Sequence, residues 1–441
     1  MNALTGLDLL TGALPAVVYA LAVTGALYLL IRRRRRWWTA VAAAVAAAVL
    51  MALGTAWFLT NVAAATAHEL PWPVTAWIGV AYLAVVLAVL NMAGNGRRRK
   101  VLAPAATTAL LLGAALQVNA YFGAYRSIDD LTGASTAGIA ALPALERPTP
   151  GVLQQPASAQ NPGPVAKAWV KPAGLPSAGT VNSVQIPGTV SGFASRTGYV
   201  YLPPAYQQAP SGPALPVLVL IPGQPGTPAD WLRAGGLKTQ MDAYAAAHDG
   251  LAPVVVVADV NGSESANTMC IDSMIARADT YVSVDVPAWI RATLHVDTDP
   301  ARWAVGGFSF GGTCALQMAA LHPDIYPSAI DFSGEAEPAL GADRAATIRR
   351  AFGGDAAAFD ALTPARVLSA RHYAHSRIYL AVGGQDPTFS AYQTQSADAA
   401  SGAGMNVKTE LVPGVGHSWE VPRQALAQAL DWLAPALGLS H

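Results

Sequence analysis

Four stretches in the first 125 residues carry no Asp, Glu, Lys, Arg or His: 9–31 (23 residues), 37–67 (31), 70–96 (27) and 101–125 (25). A bilayer core about 30 Å thick needs ~20 apolar residues as helix, so each stretch can span once. A single such stretch could be a buried core helix. Four in succession predict transmembrane helices at approximately 9–31, 37–60, 72–94 and 101–121, within a region 1–125. The first is not read as a cleaved signal peptide, because its positive charges follow it.

The charges order these spans. Residues 1–125 hold nine Lys/Arg and two Asp/Glu, whereas residues 126–441 hold 18 Lys/Arg and 25 Asp/Glu. The neutral total thus hides a basic, apolar front and an acidic back, which excludes a simple soluble globule, a disordered chain and a nucleic-acid binder. Arg32 to Arg36 separate the first two spans, and Arg97, Arg98, Arg99 and Lys100 separate the last two. The positive-inside rule makes both loops cytoplasmic. The loop at His68, Glu69 and Pro71, both termini and everything after the fourth span are then expected outside, in a multi-pass cell-membrane protein. Trp37, Trp38, Trp57, Trp72 and Trp77 fall near the expected interfaces. No span holds a charged residue, so the bundle reads as an anchor or a lipid-contacting platform rather than an ion path.

A Pro/Ala-rich linker is expected over 126–178, with Pro148, Pro150, Pro156, Pro162 and Pro164 closely spaced. It is expected as an extended spacer or as a strip lying on the next domain. From 179 to 441, short β-branched runs alternate with amphipathic segments. Strands are predicted at 180–186, 198–202, 217–221, 253–259, 303–308, 328–332, 378–382 and 407–412. Helices are predicted at 229–248, 280–294, 312–322, 391–400 and 421–437. This alternation argues an α/β domain with a mainly parallel sheet and an antiparallel edge from its first two strands.

The strongest local signal is Gly307-Phe308-Ser309-Phe310-Gly311, between an apolar strand and a helix. That is the context of a nucleophile elbow, with Ser309 lifted above the sheet. A serine hydroxyl needs a base. His417, in Gly414-Val415-Gly416-His417-Ser418-Trp419 after the last strand, stands where the order Ser, acid, His puts it. Asp386 follows an apolar strand and a glycine turn, and there it would fix the imidazole tautomer. Asp331 and Glu335 are the alternative acids. The oxyanion hole needs two backbone donors. Phe310 supplies one, and the turn Pro222-Gly223-Gln224-Pro225-Gly226 the other. Since Pro222 and Pro225 have no N–H, Gln224 is the first choice and Gly223 the second. Cys270 and Cys314 both lie in the domain placed outside, where disulfides persist. Cys270 follows the strand at 253–259, expected beside the elbow strand, and Cys314 lies on the elbow helix, so the two are expected to be bridged, the alternative being two buried free thiols. No metal-ligand spacing, phosphate-binding loop or dinucleotide fingerprint occurs, and no cofactor is expected.

Residues 179–438 resemble the esterase D / antigen 85 group of α/β-hydrolases. The resemblance is carried by Tyr199-Val200-Tyr201-Leu202-Pro203-Pro204-Ala205-Tyr206, by the 222–226 turn with Asp230-Trp231, by 307–314 and by Gly416-His417-Ser418-Trp419-Glu420. Asn267-Thr268-Met269-Cys270-Ile271-Asp272 with Thr280-Tyr281 and Asp285-Val286-Pro287 is similar to an actinobacterial, membrane-anchored branch. The resemblance implies an α/β-hydrolase fold and a Ser/acid/His triad acting on carboxylic esters, or transferring acyl groups. Antigen 85 proteins are secreted and use Glu as the acid where this chain has Asp386, so mycolyl transfer is not carried over. Trp231, Asp272 and Glu335 are candidate substrate-binding residues, the two acids as partners for an ammonium group.

The expectation is therefore a membrane-anchored serine esterase facing outward, with membrane lipids or a lipid-linked ester as substrate and aminoacyl-phospholipids as one specific case. An acyltransferase shares the same acyl-enzyme and is the alternative. A non-catalytic envelope scaffold is a third reading, opposed by the intact order Ser309, Asp386, His417.

Overall fold

The computed structural model describes residues 6–32, 35–62, 70–93, 96–143, 164–208 and 212–440. The chain forms two compact units, Met1–Ser135 and Thr136–His441.

In the first unit, helices α1 (Ala13–Leu30), α2 (Arg35–Asn61), α3 (Trp72–Met92) and α4 (Arg97–Phe122) are each long and apolar enough to cross a membrane. Helix α1 starts later than expected. The Asp8 carboxylate accepts the N–H groups of Leu10 and Thr11 and holds a turn there instead. Basic residues expected in loops are helical: Arg35 and Arg36 open α2, and Arg97 to Lys100 open α4. Small residues let the helices approach closely. A Cβ on Gly25 of α1 would stand 2.9 Å from the carbonyl oxygen of Ala106 in α4. Helix α4 ends at Gly123, whose φ of 63° suits a left-handed cap. Among the expected interfacial tryptophans, Trp37 is instead buried, its indole N–H donating to Leu30 O at 2.8 Å. His68 and Glu69 lie outside the described residues.

Most of the proline-rich part of the expected linker, 144–163, also lies outside the described residues. Of its described parts, residues 126–135 belong to the first unit, and 136–143 and 164–178 belong to the second. Ala141 bridges Ser183, the Ala166 N–H donates to Gly438 O, and the Trp169 indole donates to Asp249 O.

The second unit is built on an eight-stranded sheet of order β1-β2-β4-β3-β5-β6-β7-β8. The strands are β1 (Thr180–Val184), β2 (Gly198–Leu202), β3 (Val217–Ile221), β4 (Val254–Val257), β5 (Trp303–Phe308), β6 (Ser328–Phe332), β7 (Arg377–Gly383) and β8 (Asn406–Val412). The first two pair antiparallel, and β2 runs antiparallel to β4. All remaining pairs are parallel. Every residue of β3, β4 and β5 is buried, as continuous apolar runs require when both faces are covered.

Some expected elements differ. The helix expected at 229–248 is two, Ala229–Arg233 and Leu237–Ala247, because Gly236 sits at φ 62° between them. The helix expected at 280–294 contains a π turn at Tyr281–Asp285. Short helices Arg344–Phe352, Ala356–Asp360 and Pro364–Ser369 were not anticipated. The strand before Cys270 was expected beside the elbow strand. In fact β3 lies between β4 and β5, since the parallel pairing runs β4–β3–β5.

Candidate active site

Three successive features at the C-terminal ends of β5, β7 and β8 converge. Strand β5 delivers the chain to Ser309, whose φ of 57° and ψ of −118° reverse it into the helix Phe310–Leu321. The turn is tight enough to exclude side chains on both flanks. A Cβ on Gly307 would lie 2.2 Å from the carbonyl of Gly311, and one on Gly311 would lie 2.2 Å from Ile221 O. The Ser309 N–H donates to Phe332 O at 2.8 Å, tying the elbow to β6.

After β8 the segment 413–419 carries His417 back over the elbow. This segment is fastened to the turn after β7, with Gln385 N–H donating to Val415 O and Gly384 N–H to Val412 O. Gly383 has no room for a Cβ, which would meet Gly416 O at 2.4 Å. His417 Nε2 lies 2.9 Å from Ser309 Oγ, and Nδ1 lies 3.1 Å from Asp386 Oδ2. With the proton on Nδ1, that nitrogen donates to the carboxylate and Nε2 accepts from the serine. Asp386 does two jobs. Its other oxygen accepts the Phe389 N–H and caps the helix Pro387–Gly402. The side chains of His417 and Asp386 are 18% and 9% exposed, so the pair is shielded while the serine side stays reachable.

Two aromatic rings that the sequence did not single out hold the imidazole. Phe308 stacks on it with centroids 5.1 Å apart, and Phe389 lies 3.9 Å away. Phe389 is the residue whose N–H Asp386 caps, so the acid and the ring that braces its partner are set by one helix start.

As first residue of its helix, Phe310 has an N–H without an intrahelical acceptor. In the turn after β3, Gly223 stands against Ser309: a Cβ there would lie 3.7 Å from Ser309 Cβ and 3.4 Å from Phe308 O. Gln224 follows, its side-chain amide donating to Ser265 O at 3.2 Å. The far end of the turn is braced by Arg196, another residue the sequence reading missed. It donates to Gly226 O at 3.0 Å and pairs with buried Asp259 at 2.7 Å.

The candidate substrate residues separate. Trp231 is fully buried, and its indole donates to Ile221 O at 2.9 Å. It is a brace beneath β3 and cannot touch substrate, which corrects its assignment. The Asp272 carboxylate accepts the Thr280 N–H at 2.9 Å and its hydroxyl, and faces Arg277 at 3.8 Å. None of these bonds reaches the Ser309–His417–Asp386 chain, so Asp272 reads as a loop clamp. Glu335 stays close: its N–H donates to Thr313 Oγ1 at 2.8 Å, and the Thr313 N–H donates to Ser309 O. Asp331 is buried under the elbow and accepts the Gly334 N–H at 2.7 Å, not His417. Burial pushes its carboxyl up to about 7, the Gly334 N–H opposing and Glu335 adding to the effect.

Cys270 and Cys314 form a disulfide with Cα atoms 5.4 Å apart. It fastens the loop after β4 to the elbow helix from beyond β3. Among the described residues no cluster of His, Cys, Asp and Glu could hold a metal ion.

The Esterase family model, described as "Putative esterase", matches residues 194–433. An uncharacterised protein of Corynebacterium glutamicum is 40% identical over 271 residues, 60% of this chain and 62% of that protein. This chain therefore spans less than two thirds of that relative's own length. Among solved structures, a ferulic acid esterase matches with a TM-score of 0.51 and 18% identity, over 59% of this chain and 99% of that one. An S-formylglutathione hydrolase of Agrobacterium tumefaciens matches with a TM-score of 0.50 and 18% identity, over 59% and 97%. At that identity the structures establish the fold, an α/β-hydrolase, as the resemblance implied. The family match covers more than half of the chain, and the chain belongs to the Esterase family.

Proposed function

We propose that the chain is a membrane-anchored serine esterase that cleaves carboxylic esters of lipid or cell-envelope substrates. The observation that carries this reading is the continuous hydrogen-bonded line Ser309–His417–Asp386 at three strand ends. Ser309 Oγ attacks the ester carbonyl while His417 Nε2 takes its proton. Asp386 stabilises the imidazolium through Nδ1–H. The backbone N–H groups of Phe310 and Gln224 receive the oxyanion. His417 then gives its proton to the departing alcohol, leaving an acyl-serine. Water, deprotonated by His417, attacks that ester and releases the acid and free Ser309.

The candidate spans support this substrate class. Four helices fit to span a bilayer keep the catalytic unit at a membrane surface, where lipid-linked esters are concentrated. The basic residues at the α1–α2 and α3–α4 connections support an outward-facing catalytic unit by the positive-inside rule. The disulfide fits an oxidising compartment. Glu335, one residue removed from the elbow, suits an ester carrying an ammonium group, as in aminoacyl-phospholipids.

The test is labelling of the purified full chain with a fluorophosphonate, located by mass spectrometry, followed by a screen of envelope lipid esters with and without an alcohol acceptor. Label on Ser309, lost in Ser309→Ala together with turnover, is expected. Turnover above a tenth of wild type in Ser309→Ala would sink the assignment. Acceptor-dependent ester formation would make the enzyme an acyltransferase.

A further inference from the structure

The oxyanion turn after β3 is gripped from outside by one ion pair. Arg196 lies in the connection from β1 to β2, and Asp259 lies just beyond β4. They meet as a side-on fork: Arg196 Nε donates to Asp259 Oδ2 at 3.1 Å, and Nη2 donates to Oδ1 at 2.7 Å. Nη2 spends its second hydrogen on Gly226 O at 3.0 Å. The carboxylate that aims the fork is itself fixed. Its side chain is fully buried, and it accepts the backbone N–H groups of Arg196, Asn261 and Gly262 at 2.7, 3.3 and 3.0 Å. The guanidinium is thus left with one direction, and Gly226 O lies along it.

Gly226 is held on its other side as well, its N–H donating to Glu264 O at 3.0 Å. The turn closes tightly on itself, since a Cβ on Gly226 would meet Gly223 O at 2.7 Å. A shift of Gly226 is therefore passed to Gly223, where the turn stands against Ser309. Gln224, whose N–H the mechanism uses, lies between these two glycines. A buried ion pair is weak evidence for stability, because taking both charges out of water offsets much of their attraction. What this pair does supply is a fixed point for the turn. Donors aimed at a developing oxyanion work only when they are held in place beforehand.

We infer that Arg196, aimed by Asp259, is a positioning residue for the oxyanion hole: through Gly226 it sets where the Gln224 N–H stands relative to Ser309. This role rests on the esterase reading and adds to it a residue whose hydrogen bonds reach none of Ser309, His417 and Asp386. It calls for arginine in particular. Lysine would keep the charge beside Asp259, but its nitrogen ends short of the Nη2 position and offers no fork, so it would hold the carboxylate and release Gly226 O.

The test compares p-nitrophenyl acetate with its thionoester on the full chain, purified in detergent. Sulfur accepts hydrogen bonds poorly, so the ratio of the two rates reads the oxyanion hole, whereas a general loosening of the fold lowers both rates together. Wild type should favour the oxygen ester by about 10²-fold in kcat, the worth of one oxyanion donor. Arg196→Lys should stay folded and lower that ratio about tenfold, through kcat with KM unchanged. Arg196→Ala should do the same where it folds. Arg302→Ala removes another half-buried arginine that donates to a backbone carbonyl, Ala436 O at 2.7 Å, and should keep the wild-type ratio. An unchanged ratio in folded Arg196→Lys overturns the role of Arg196. So does an equal fall in Arg302→Ala, or a wild type without the preference. If neither Arg196 variant folds, the ion pair is a stability element and the positioning role falls. Wild type that takes no fluorophosphonate at Ser309 and cleaves neither ester is a different failure, that of the esterase reading itself.

Discussion

Replacing Asp331 by asparagine should flatten the pH dependence of the catalytic unit's stability. Burial moves this carboxyl from its ordinary 3.8 to about 7. Between those values the folded chain keeps a proton that the unfolded chain has released. The unfolded state then binds fewer protons, so stability falls as pH rises through that window. The slope is about 1.4 kcal/mol per pH unit, which accumulates to on the order of 4 kcal/mol between pH 4 and 7 and levels off on either side. Asparagine keeps an oxygen for the Gly334 N–H and has no proton to lose. The difference between variant and wild type should therefore drift in the variant's favour by that amount across the window. Urea denaturation of the full chain in detergent, read by pulse proteolysis of the catalytic unit at successive pH values, measures it. A wild-type slope that persists unchanged in Asp331→Asn would refute the reasoning, because the titrating group would then lie elsewhere.

Other outcomes follow from the site's geometry. Asp386→Asn should lower turnover on the order of 10⁴-fold, since the amide favours the wrong imidazole tautomer; steady-state kinetics on any accepted ester measures this, and a loss under tenfold would remove Asp386 from the line. Gly311→Ala sets a Cβ 2.2 Å from Ile221 O. It should displace the elbow from the turn after β3 and cost about 10² in kcat/KM with the far-UV spectrum unchanged, and wild-type rates would contradict the close approach. A cysteine introduced at exposed Ala357 should react with an impermeant reagent in intact cells. Labelling that appears only after the membrane is opened would reverse the orientation.

Where the sequence spoke clearly, a local pattern was tied to a backbone need. Ser309 was legible because two small neighbours, a strand and a helix start coincide around it. Asp386 and His417 were legible from chain order, as each follows an apolar strand and a glycine-containing turn. What escaped were relations between distant segments. Strand β3 sits between β4 and β5, and no local pattern records that order. Trp231 is a candidate substrate-binding residue in the sequence, yet only packing shows it sealed beneath β3. Gly235-Gly236 was passed over inside an otherwise helical run, although a left-handed residue there ends one helix and begins another. The short helices after residue 343 carried a readable sign, Asp343 and Asp355 each accepting an N–H three residues on. Arg196 and Phe389 had no such sign, because their roles arise from what folding brings beside them.

The backbone at Ser309 sets chemistry against stability. A φ of 57° with ψ of −118° is a conformation that a side chain resists, at about 1–3 kcal/mol. Glycine would adopt it almost freely. The position therefore favours, on grounds of folding alone, the one residue that abolishes the nucleophile. A lineage released from the need for catalysis would gain by drifting to glycine at this point, and would lose the enzyme without disturbing the fold. Serine there is held against a standing thermodynamic preference, and the neighbours locked by Gly307 and Gly311 keep the chain from relaxing out of it.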